Sequence, residues 1–470
     1  MSFISVTFFI FFSIFIIAYH IAGYFLKQSV LLQKLLLLAA SIIFYLASDI
    51  RFLPFLIFSI LISYFAGLLC KNKIIFFLFI IVDLIPLIFC KYNPAHFIFP
   101  LGISFFTFQS ISYIADCYTK KINAEHNILN VAMFISFFPV ISSGPIQRAG
   151  NLIPQFNKIH CFDYEAATDG LKIFAWGMFK KLCVADRIAQ YVNYVYSNAN
   201  ESYGLAVLMA TILYSFQIYC DFSGYSDMAI GIARYIGFNI GRNFDHPYFS
   251  KSVGEFWRRW HISLSSWLRD YVYIPLGGSR VALPRIYLNL MLTFLVSGIW
   301  HGSTWNFVIW GFLHGIFQCI GRTSKSIWEK FNIPSFIRIF VTFCLVTFAW
   351  IFFRAENLQS AIIVLHKLCQ IPENIIQFAS FKNDLGTADA IRKLFSIINI
   401  ACGGFKGMSL TIFLLLIVLI CELVTIKITG LDCIRKRNVI IRWGMYLSLL
   451  FIIILFKLSS VSSSFIYNNF

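Results

Sequence analysis

The chain has 470 residues, of which 59% are hydrophobic, 18% are aromatic and only 13% are charged. This hydrophobic share exceeds that of ordinary globular domains by roughly ten percentage points, so the composition predicts an integral membrane protein. The net charge of +17 comes from 38 basic against 21 acidic residues, which in a membrane protein indicates basic cytoplasmic loops and argues against a nucleic-acid partner.

Apolar segments near the ~20 residues that a helical span needs recur along the chain. None of them alternates strictly in the manner of a membrane β-barrel, so the predicted fold is all-α. The predicted runs are Phe3–Phe25, Val30–Leu46, Phe52–Cys70, Ile74–Cys90, Phe97–Ala115, Ile128–Ile141, Leu205–Cys220, Ile286–Trp300, Asn306–Ile320, Phe336–Phe353, Leu410–Ile426 and Trp443–Phe456. Several are short, so about ten to twelve crossings are predicted within a single domain of residues 1–470.

Basic residues in alternate short loops predict the orientation, because such loops stay in the cytoplasm. The basic loop residues are Lys27, Lys34, Lys71, Lys73, Lys120, Lys121, Arg322, Lys325, Lys330, Arg435, Lys436, Arg437 and Arg442. Both termini are therefore expected outside, with residues 459–470 as an external tail. The twelve cysteines include no Cys-x-x-Cys pair, and neither a metal nor a bound cofactor is expected.

The middle of the chain is harder to assign. Gly170 to Tyr191 mixes apolar residues with lysines and fits an interfacial helix as well as a tilted span. Turn residues cluster at 142–145 and 275–279. At membrane depth such breaks are tolerated only where the backbone lines an enclosed or watery cavity, so a cavity is predicted there.

Two carboxylates interrupt an apolar region in Asp221-Phe222-Ser223-Gly224-Tyr225-Ser226-Asp227. Carboxylates within a membrane are rare, and they mark either a substrate pathway or a buried ion pair. In the first interpretation Asp221, Ser223, Tyr225 and Asp227 are polar residues of a tunnel. In the second, the carboxylates pair with Arg234 or Arg242.

A cluster of arginine and tryptophan lies between Glu255 and Gly315. Arg258, Arg259 and Arg269, together with Trp260, could bind a phosphate-bearing donor, because guanidinium binds phosphate bidentately and stacks on aromatic rings. Each arginine could instead extend to lipid headgroups.

His301 directly follows the run Ile286–Trp300 and precedes Gly302-Ser303-Thr304, where a helix break is predicted. A lone histidine in an apolar helix is more often a packing residue. At a helix break, however, the imidazole can have an aqueous path, and a side chain that titrates near neutral pH is suited to general-base work.

These residues together resemble the membrane-bound O-acyltransferase (MBOAT) family, in the bacterial branch that includes alginate and peptidoglycan O-acetyltransferases and teichoic-acid D-alanyl transferases. The residues that carry the resemblance are Pro100 to Phe105, Phe138-Pro139, Gly144-Pro145, Asp221 to Ala229, Asn243-Phe244, Pro247-Tyr248, Glu255 to Asp270, Gly298 to Gly302 and Trp310 to Gly315.

The resemblance implies a ring of tilted helices, with interfacial and re-entrant helices, around a central tunnel. It implies acyl transfer from a cytoplasmic thioester donor, acetyl-CoA, to an acceptor outside, with the catalytic block at about 221–315. His301 matches the family's defining histidine, His261 matches a second polar position, and His314 belongs to the same block. The aromatic tail that contains Tyr467 resembles endings in this branch, where a tyrosine is a proposed acyl carrier, although it could equally be an interfacial anchor.

The resemblance further implies the bacterial inner membrane and a periplasmic SGNH-type O-acetyltransferase partner. Peptidoglycan is the favoured polysaccharide. The alternatives are acetylation of alginate or another exopolysaccharide, D-alanyl transfer to teichoic acid, and a secondary transporter, for which broken helices and buried carboxylates are also expected.

Overall fold

The computed structural model describes residues 1–25, 29–93, 99–377, 404–426 and 430–459. Within these ranges the chain is helical and contains no strand, which confirms the predicted all-α fold. The α-helices, numbered here in chain order, are α1 (Val6–Phe25), α2 (Val30–Leu46), α3 (Leu53–Leu69), α4 (Lys73–Tyr92), α5 (Ile103–Tyr118), α6 (Ile128–Ser136), α7 (Phe138–Ile141), α8 (Ala149–Phe156), α9 (Tyr164–Met178), α10 (Asp186–Ser197), α11 (Gly204–Tyr235), α12 (Val253–Arg259), α13 (Ile262–Leu268), α14 (Leu283–His301), α15 (Trp305–Thr323), α16 (Lys325–Lys330), α17 (Ser335–Arg354), α18 (Leu358–Cys369), α19 (Gly404–Thr425), α20 (Gly430–Arg435) and α21 (Val439–Ser459).

Among the described residues, eight helical spans are long and apolar enough to cross a membrane: α1, α3 together with the 3₁₀ turn before it (Ile50–Leu69), α4, α11, α14, α17, α19 and α21. The predicted ten to twelve crossings also counted shorter helices. α2 has 17 residues and α5 has 16, and the run Ile128–Ile141 is divided at Phe137 into α6 and α7. The protein is a multi-pass membrane protein in which long spans enclose shorter helices.

α11 is the central helix. It has 32 residues, and most of them are buried. The sequence predicted a run that ended at Cys220, but the helix continues through both carboxylates to Tyr235. The predicted run Leu205–Cys220 therefore ended too early, and the Asp221–Asp227 stretch belongs to the same helix. The helix can stay continuous because basic side chains from a neighbouring segment neutralise its carboxylates.

That segment is α9, followed by a π-helical stretch at Phe179–Ala185 and then α10. α9 and α11 touch through facing glycines. A Cβ atom at Gly177 would lie 2.5 Å from the carbonyl oxygen of Gly224, and one at Gly170 would lie 2.5 Å from that of Gly231. Such backbone contact requires small residues, as in other close helix crossings within membranes.

α14 and α15 form an antiparallel pair joined at the predicted break. α14 ends at His301 and α15 begins at Trp305, which confirms the break at residues 302–304. Gly298 allows the close approach, because a Cβ atom there would lie 3.3 Å from the Cα atom of Gly311. The amide of Asn306 donates to the carbonyl of Ala355 at 2.8 Å, so the start of α15 is tied to the end of α17.

Two short helices of seven residues each, α12 and α13, precede α14. A π-helical stretch, Arg269–Tyr273, and a turn with Gly277 at φ 110° and Gly278 at φ 56° connect them to α14. The turns predicted at 142–145 and 275–279 are both present. The turn at 142–145 is largely buried, whereas Pro275 and Ser279 in the second turn are exposed.

Candidate active site

His301 ends α14, and the next residue, Gly302, has an extended backbone. The His301 side chain is buried, with 2% of its surface exposed. Three rings meet the imidazole edge-on: Trp300 at 4.7 Å, Trp310 at 4.8 Å and Phe353 at 5.2 Å between ring centroids. Because these rings come from α14, α15 and α17, three helices fix the position of this histidine.

His261 lies between α12 and α13 and is fully buried. Its φ of 43° is in the left-handed region, which costs a non-glycine residue about 1–3 kcal/mol and recurs at functional sites. Phe222 of α11 packs edge-on at 4.6 Å, and Phe105 of α5 stacks at 6.5 Å. The re-entrant pair α12–α13 thus carries His261 between two other helices.

Asn243 holds the His261 ring and is itself buried. Its Oδ1 atom lies 3.2 Å from His261 Nδ1. The same oxygen accepts the backbone N–H of Ser263 at 3.2 Å and the Ser263 hydroxyl at 2.9 Å. The Asn243 amide donates to the hydroxyl of Ser226 on α11 at 3.3 Å. The Asn243 amide thus connects the loop before α12 to the start of α13 and to α11.

His314 is buried in α15 and is bound by Trp257 of α12, whose Nε1–H donates to His314 Nδ1 at 3.1 Å. An indole N–H can only donate, so the neutral imidazole carries its proton on Nε2. Within the described residues Nε2 has no hydrogen-bond partner. Trp310 packs at 4.9 Å from the ring. In this geometry His314 links α12 to α15, and its predicted catalytic role stays a prediction.

Shared aromatic rings link the three predicted histidines. Trp310 contacts both His301 and His314, and Phe105 contacts both His261 and Trp300, the ring that packs on His301. A cation that was not among the predicted site residues lies beside them. Lys91, near the end of α4, is buried, and its ammonium donates to the carbonyl of Trp300. A positive charge there complements the carbonyl end of α14. The signal in the sequence was a lysine directly following the long, mostly apolar run Ile74–Cys90.

The α11 carboxylates are paired with lysines. Lys181 lies 2.6 Å from Asp221 and 2.8 Å from Asp186, and none of these three side chains is more than 2% exposed. Lys180 lies 2.7 Å from Asp227, whose side chain is 26% exposed. The ion-pair interpretation fits this geometry, with lysines in place of the predicted arginines.

The predicted arginine partners bind elsewhere. Arg234 pairs with Asp169 at 2.9 Å, and Arg242 pairs with Asp245 at 3.0 Å. The expected pairing of α11 carboxylates with Arg234 or Arg242 is therefore wrong. The glycine contact between α9 and α11 brings Lys180 and Lys181 close to the carboxylates, so these lysines take the place of the predicted arginines.

The four polar residues predicted to line a tunnel contact two different lysines, Lys180 and Lys181. Ser223 accepts a hydrogen bond from Lys180 at 2.9 Å. The ammonium of Lys181 lies 5.7 Å from the centroid of the Tyr225 ring, and the Tyr225 hydroxyl lies 3.3 Å from that of Ser2. These residues occupy two faces of α11, because positions four apart share a face while positions two apart do not.

The predicted donor-binding residues differ in exposure. Arg258 and Arg269 are exposed, whereas Arg259 is half-buried. Arg259 pairs with Glu255 at 2.8 Å and Arg269 pairs with Asp270 at 2.8 Å. An exposed guanidinium can meet a phosphate at a modest cost, because a surface ion pair is worth only about 0–1 kcal/mol.

Trp260 lies inside an aromatic cluster and is 1% exposed. Phe256 stacks on it at 5.3 Å and Trp350 of α17 packs at 5.2 Å. The predicted stacking of a donor on Trp260 does not fit this burial. Trp260 instead packs α12 against α17. The remaining predicted site residue, Tyr467, lies outside the described residues.

Comparison with known proteins gives a consistent result. The profile of the MBOAT, membrane-bound O-acyltransferase, family matches residues 99–364, a region that contains His261, His301 and His314. The chain is 35% identical over 426 residues to the peptidoglycan O-acetyltransferase of Helicobacter pylori, with 77% of this chain and 81% of the relative covered.

Two further relatives carry other names. The probable alginate O-acetylase AlgI of Pseudomonas aeruginosa is 45% identical over 267 residues, which are 57% of this chain and 51% of the relative. The teichoic acid D-alanyltransferase of Bacillus subtilis is 28% identical over 312 residues, which are 59% of this chain and 77% of the relative. The chain thus spans about half the length of the alginate relative.

Proposed function

Because this chain belongs to the membrane-bound O-acyltransferase family, we propose that it moves an acetyl group from cytoplasmic acetyl-CoA across the bacterial inner membrane for O-acetylation of a cell-surface polysaccharide. The chain is an acyltransferase enzyme, so the secondary-transporter alternative is set aside. Peptidoglycan is the acceptor we favour, because the Helicobacter pylori relative, which matches over most of both chains, carries that name.

The observation that carries the proposal is the position of His301. It ends a membrane-spanning helix at a break, and its ring neighbour Trp300 meets Phe105, which stacks on His261. A buried imidazole fixed by aromatic rings on three helices cannot move far, and orientation of this kind is what a general base needs.

In the proposed reaction His301 takes the proton of the acceptor hydroxyl as that oxygen attacks the thioester carbonyl carbon. A C–O bond forms, the C–S bond breaks, and the imidazolium returns its proton to the departing thiolate. The products are an acetyl ester and free CoA. Such general-base catalysis is worth about 10² to 10⁴-fold in rate. His261 either orients His301 or hydrogen-bonds the thioester carbonyl.

The donor is proposed to approach from the cytoplasm. Positive charge between Lys251 and Arg285 supports this side. Arg258 and Arg269 are both exposed and suit the phosphate groups of the donor, although Arg269 already pairs with Asp270, as Arg259 does with Glu255. With this orientation both chain termini lie in the periplasm.

On the outer side, the acetyl group is proposed to pass to a periplasmic SGNH-type O-acetyltransferase that completes the transfer. Tyr467 is the proposed relay in this chain, since an external phenol could carry the group as an ester. Intact-mass analysis of the C-terminal peptide after incubation with acetyl-CoA tests this step. An acetyl adduct that is absent from a Tyr467→Phe variant is expected, and an unmodified peptide would contradict the relay.

Two other acceptors are also compatible with this fold. The Bacillus subtilis relative favours D-alanyl transfer to teichoic acid as a second candidate, with a carrier-protein thioester as donor. The Pseudomonas aeruginosa relative favours alginate as an alternative polysaccharide.

The test is acetyl transfer by purified protein in proteoliposomes supplied with labelled acetyl-CoA. His301→Ala should lose transfer, while His126→Ala, at an exposed loop histidine, should retain it. Normal insertion is checked by gel filtration of each variant. Transfer by a folded His301→Ala variant would remove this residue from the mechanism. Activity only with a D-alanyl carrier-protein donor would establish the second candidate instead.

A further inference from the structure

The orientation of the Asn243 amide follows from its neighbours. One amide atom receives the backbone N–H of Ser263 at 3.2 Å. A backbone N–H can only donate, so the atom facing it must be the oxygen, since the amide nitrogen would oppose donor to donor. The other amide atom, the nitrogen, then donates to the Ser226 hydroxyl. The Ser226 hydroxyl can donate or accept and is compatible with this orientation, so the backbone N–H of Ser263 decides it.

The tautomer of His261 follows from that orientation. Its Nδ1 atom faces the same Asn243 oxygen at 3.2 Å. An amide oxygen only accepts, so Nδ1 must carry a proton. A neutral imidazole has one proton, and its other nitrogen, Nε2, therefore carries the lone pair.

We infer that Asn243 is a positioning residue of the reaction, which fixes His261 as the Nδ1–H tautomer so that it meets the reacting groups as a proton acceptor at Nε2. This inference rests on the proposed function and narrows it. A thioester carbonyl needs a donor, and neutral His261 in this tautomer has no proton to offer at Nε2. The remaining role is to accept a proton or hydrogen bond from His301 or from the attacking hydroxyl.

His314 provides the contrast. Trp257 donates to its Nδ1, which places the proton on Nε2. The two histidines near His301 are thus set in opposite tautomers by different neighbours. Only His261 presents Nε2 as a base, and this distinguishes it from His314 as the working partner of His301.

A measurement independent of turnover tests the tautomer directly. Protein labelled with ¹⁵N-histidine is reconstituted in bilayers, and the His261 nitrogen signals are identified by their loss in a His261→Gln variant. We expect a protonated Nδ1 and an unprotonated Nε2. In Asn243→Leu the Nε2–H form should appear, whereas Ser226→Ala should keep the Nδ1–H form. A wild-type Nε2–H tautomer would overturn the inference, whether or not the protein transfers acetyl groups.

Kinetics test the consequence. Asn243→Leu should lower kcat by about 10²-fold at an unchanged KM for acetyl-CoA, because His261 is no longer held in the Nδ1–H form in which Nε2 accepts a proton or hydrogen bond. Asn243→Asp keeps an acceptor oxygen and should restore most of the rate. Its carboxylate should also move the acid limb of the pH–kcat profile upward by about one unit by favouring the imidazolium.

His301 is the titratable group recorded beside His261, and Lys91 and His314 are recorded beside His301 in the described residues; all three remain in every variant. A merely structural role of Asn243 would leave the acid limb in place. Wild-type rates in a folded Asn243→Leu variant, or an unmoved limb in Asn243→Asp, would overturn the inference. Complete inactivity of the wild-type protein would instead count against the proposed function.

Discussion

Replacing Lys181 with methionine should destabilise the fold strongly. Lys181 is the shared cation of Asp221 on α11 and Asp186 on α10, at 2.6 and 2.8 Å. The exposed fraction is 0% for the Lys181 side chain, 2% for Asp221 and 1% for Asp186. Methionine has nearly the same length, so the change removes a charge and leaves two carboxylates in an apolar interior.

Breaking a buried pair by removing one partner costs about 3–5 kcal/mol, because the remaining charge is uncompensated. Lys180 provides a matched control one residue away. Its partner Asp227 is 26% exposed, so water can screen the carboxylate that Lys180→Met leaves behind, and a smaller loss is expected. Adding Asp221→Asn to Lys181→Met should recover about 0.5–3 kcal/mol, because it removes one of the two carboxylate charges that Lys181 neutralised.

The assay is equilibrium unfolding in mixed micelles of mild detergent and increasing dodecyl sulfate, followed by tryptophan fluorescence. The unfolding midpoint should be highest for wild type, lower for Lys180→Met, lower again for the double variant and lowest for Lys181→Met. Equal midpoints for Lys181→Met and wild type would refute the assignment of a buried cation. A double variant no more stable than Lys181→Met would show that Asp221 is not its main partner.

Three further variants test other contacts. Lys91→Met should lower kcat for acetyl transfer by about tenfold, because a charged hydrogen bond of about 1.5–3 kcal/mol to the end of α14 is lost. Lys91→Arg keeps the charge and should retain more activity. Equal rates for Lys91→Met and wild type would contradict this role. Gly177→Val should lower the free energy of unfolding by about 1–3 kcal/mol by separating α9 from α11, whereas Gly241→Ala, with open space around it, should not. Burial lowers the pKa of His160, in the loop before α9, below its ordinary value of 6.5. The unfolded chain therefore takes up this proton first, so stability should be full above about pH 6.5 and decline below it. His160→Gln should flatten that decline in thermal unfolding scans at several pH values, and an unchanged slope would contradict the reasoning.

Local sequence determined the class of this protein and most of its helices. The apolar runs predicted α2 to the residue and α14 within a few residues, because span length and composition are properties of a single segment. The break after His301 was also predictable, since glycine, serine and threonine follow a long apolar run. The same order of residues carried the family resemblance, which the comparisons confirm.

Tertiary structure decided which polar groups meet. Lys91 contacts a carbonyl 209 residues away, and Asn243 and His261 join across two chain segments. Lys181 rather than an arginine neutralises Asp221, because facing glycines let α9 approach α11. A pattern of residues records which side chains prefer burial, but the partner of a buried charge depends on helix contacts between distant segments. The sequence therefore determined where the histidines of the candidate site stand, and only the packing decided how their nitrogens are oriented and paired.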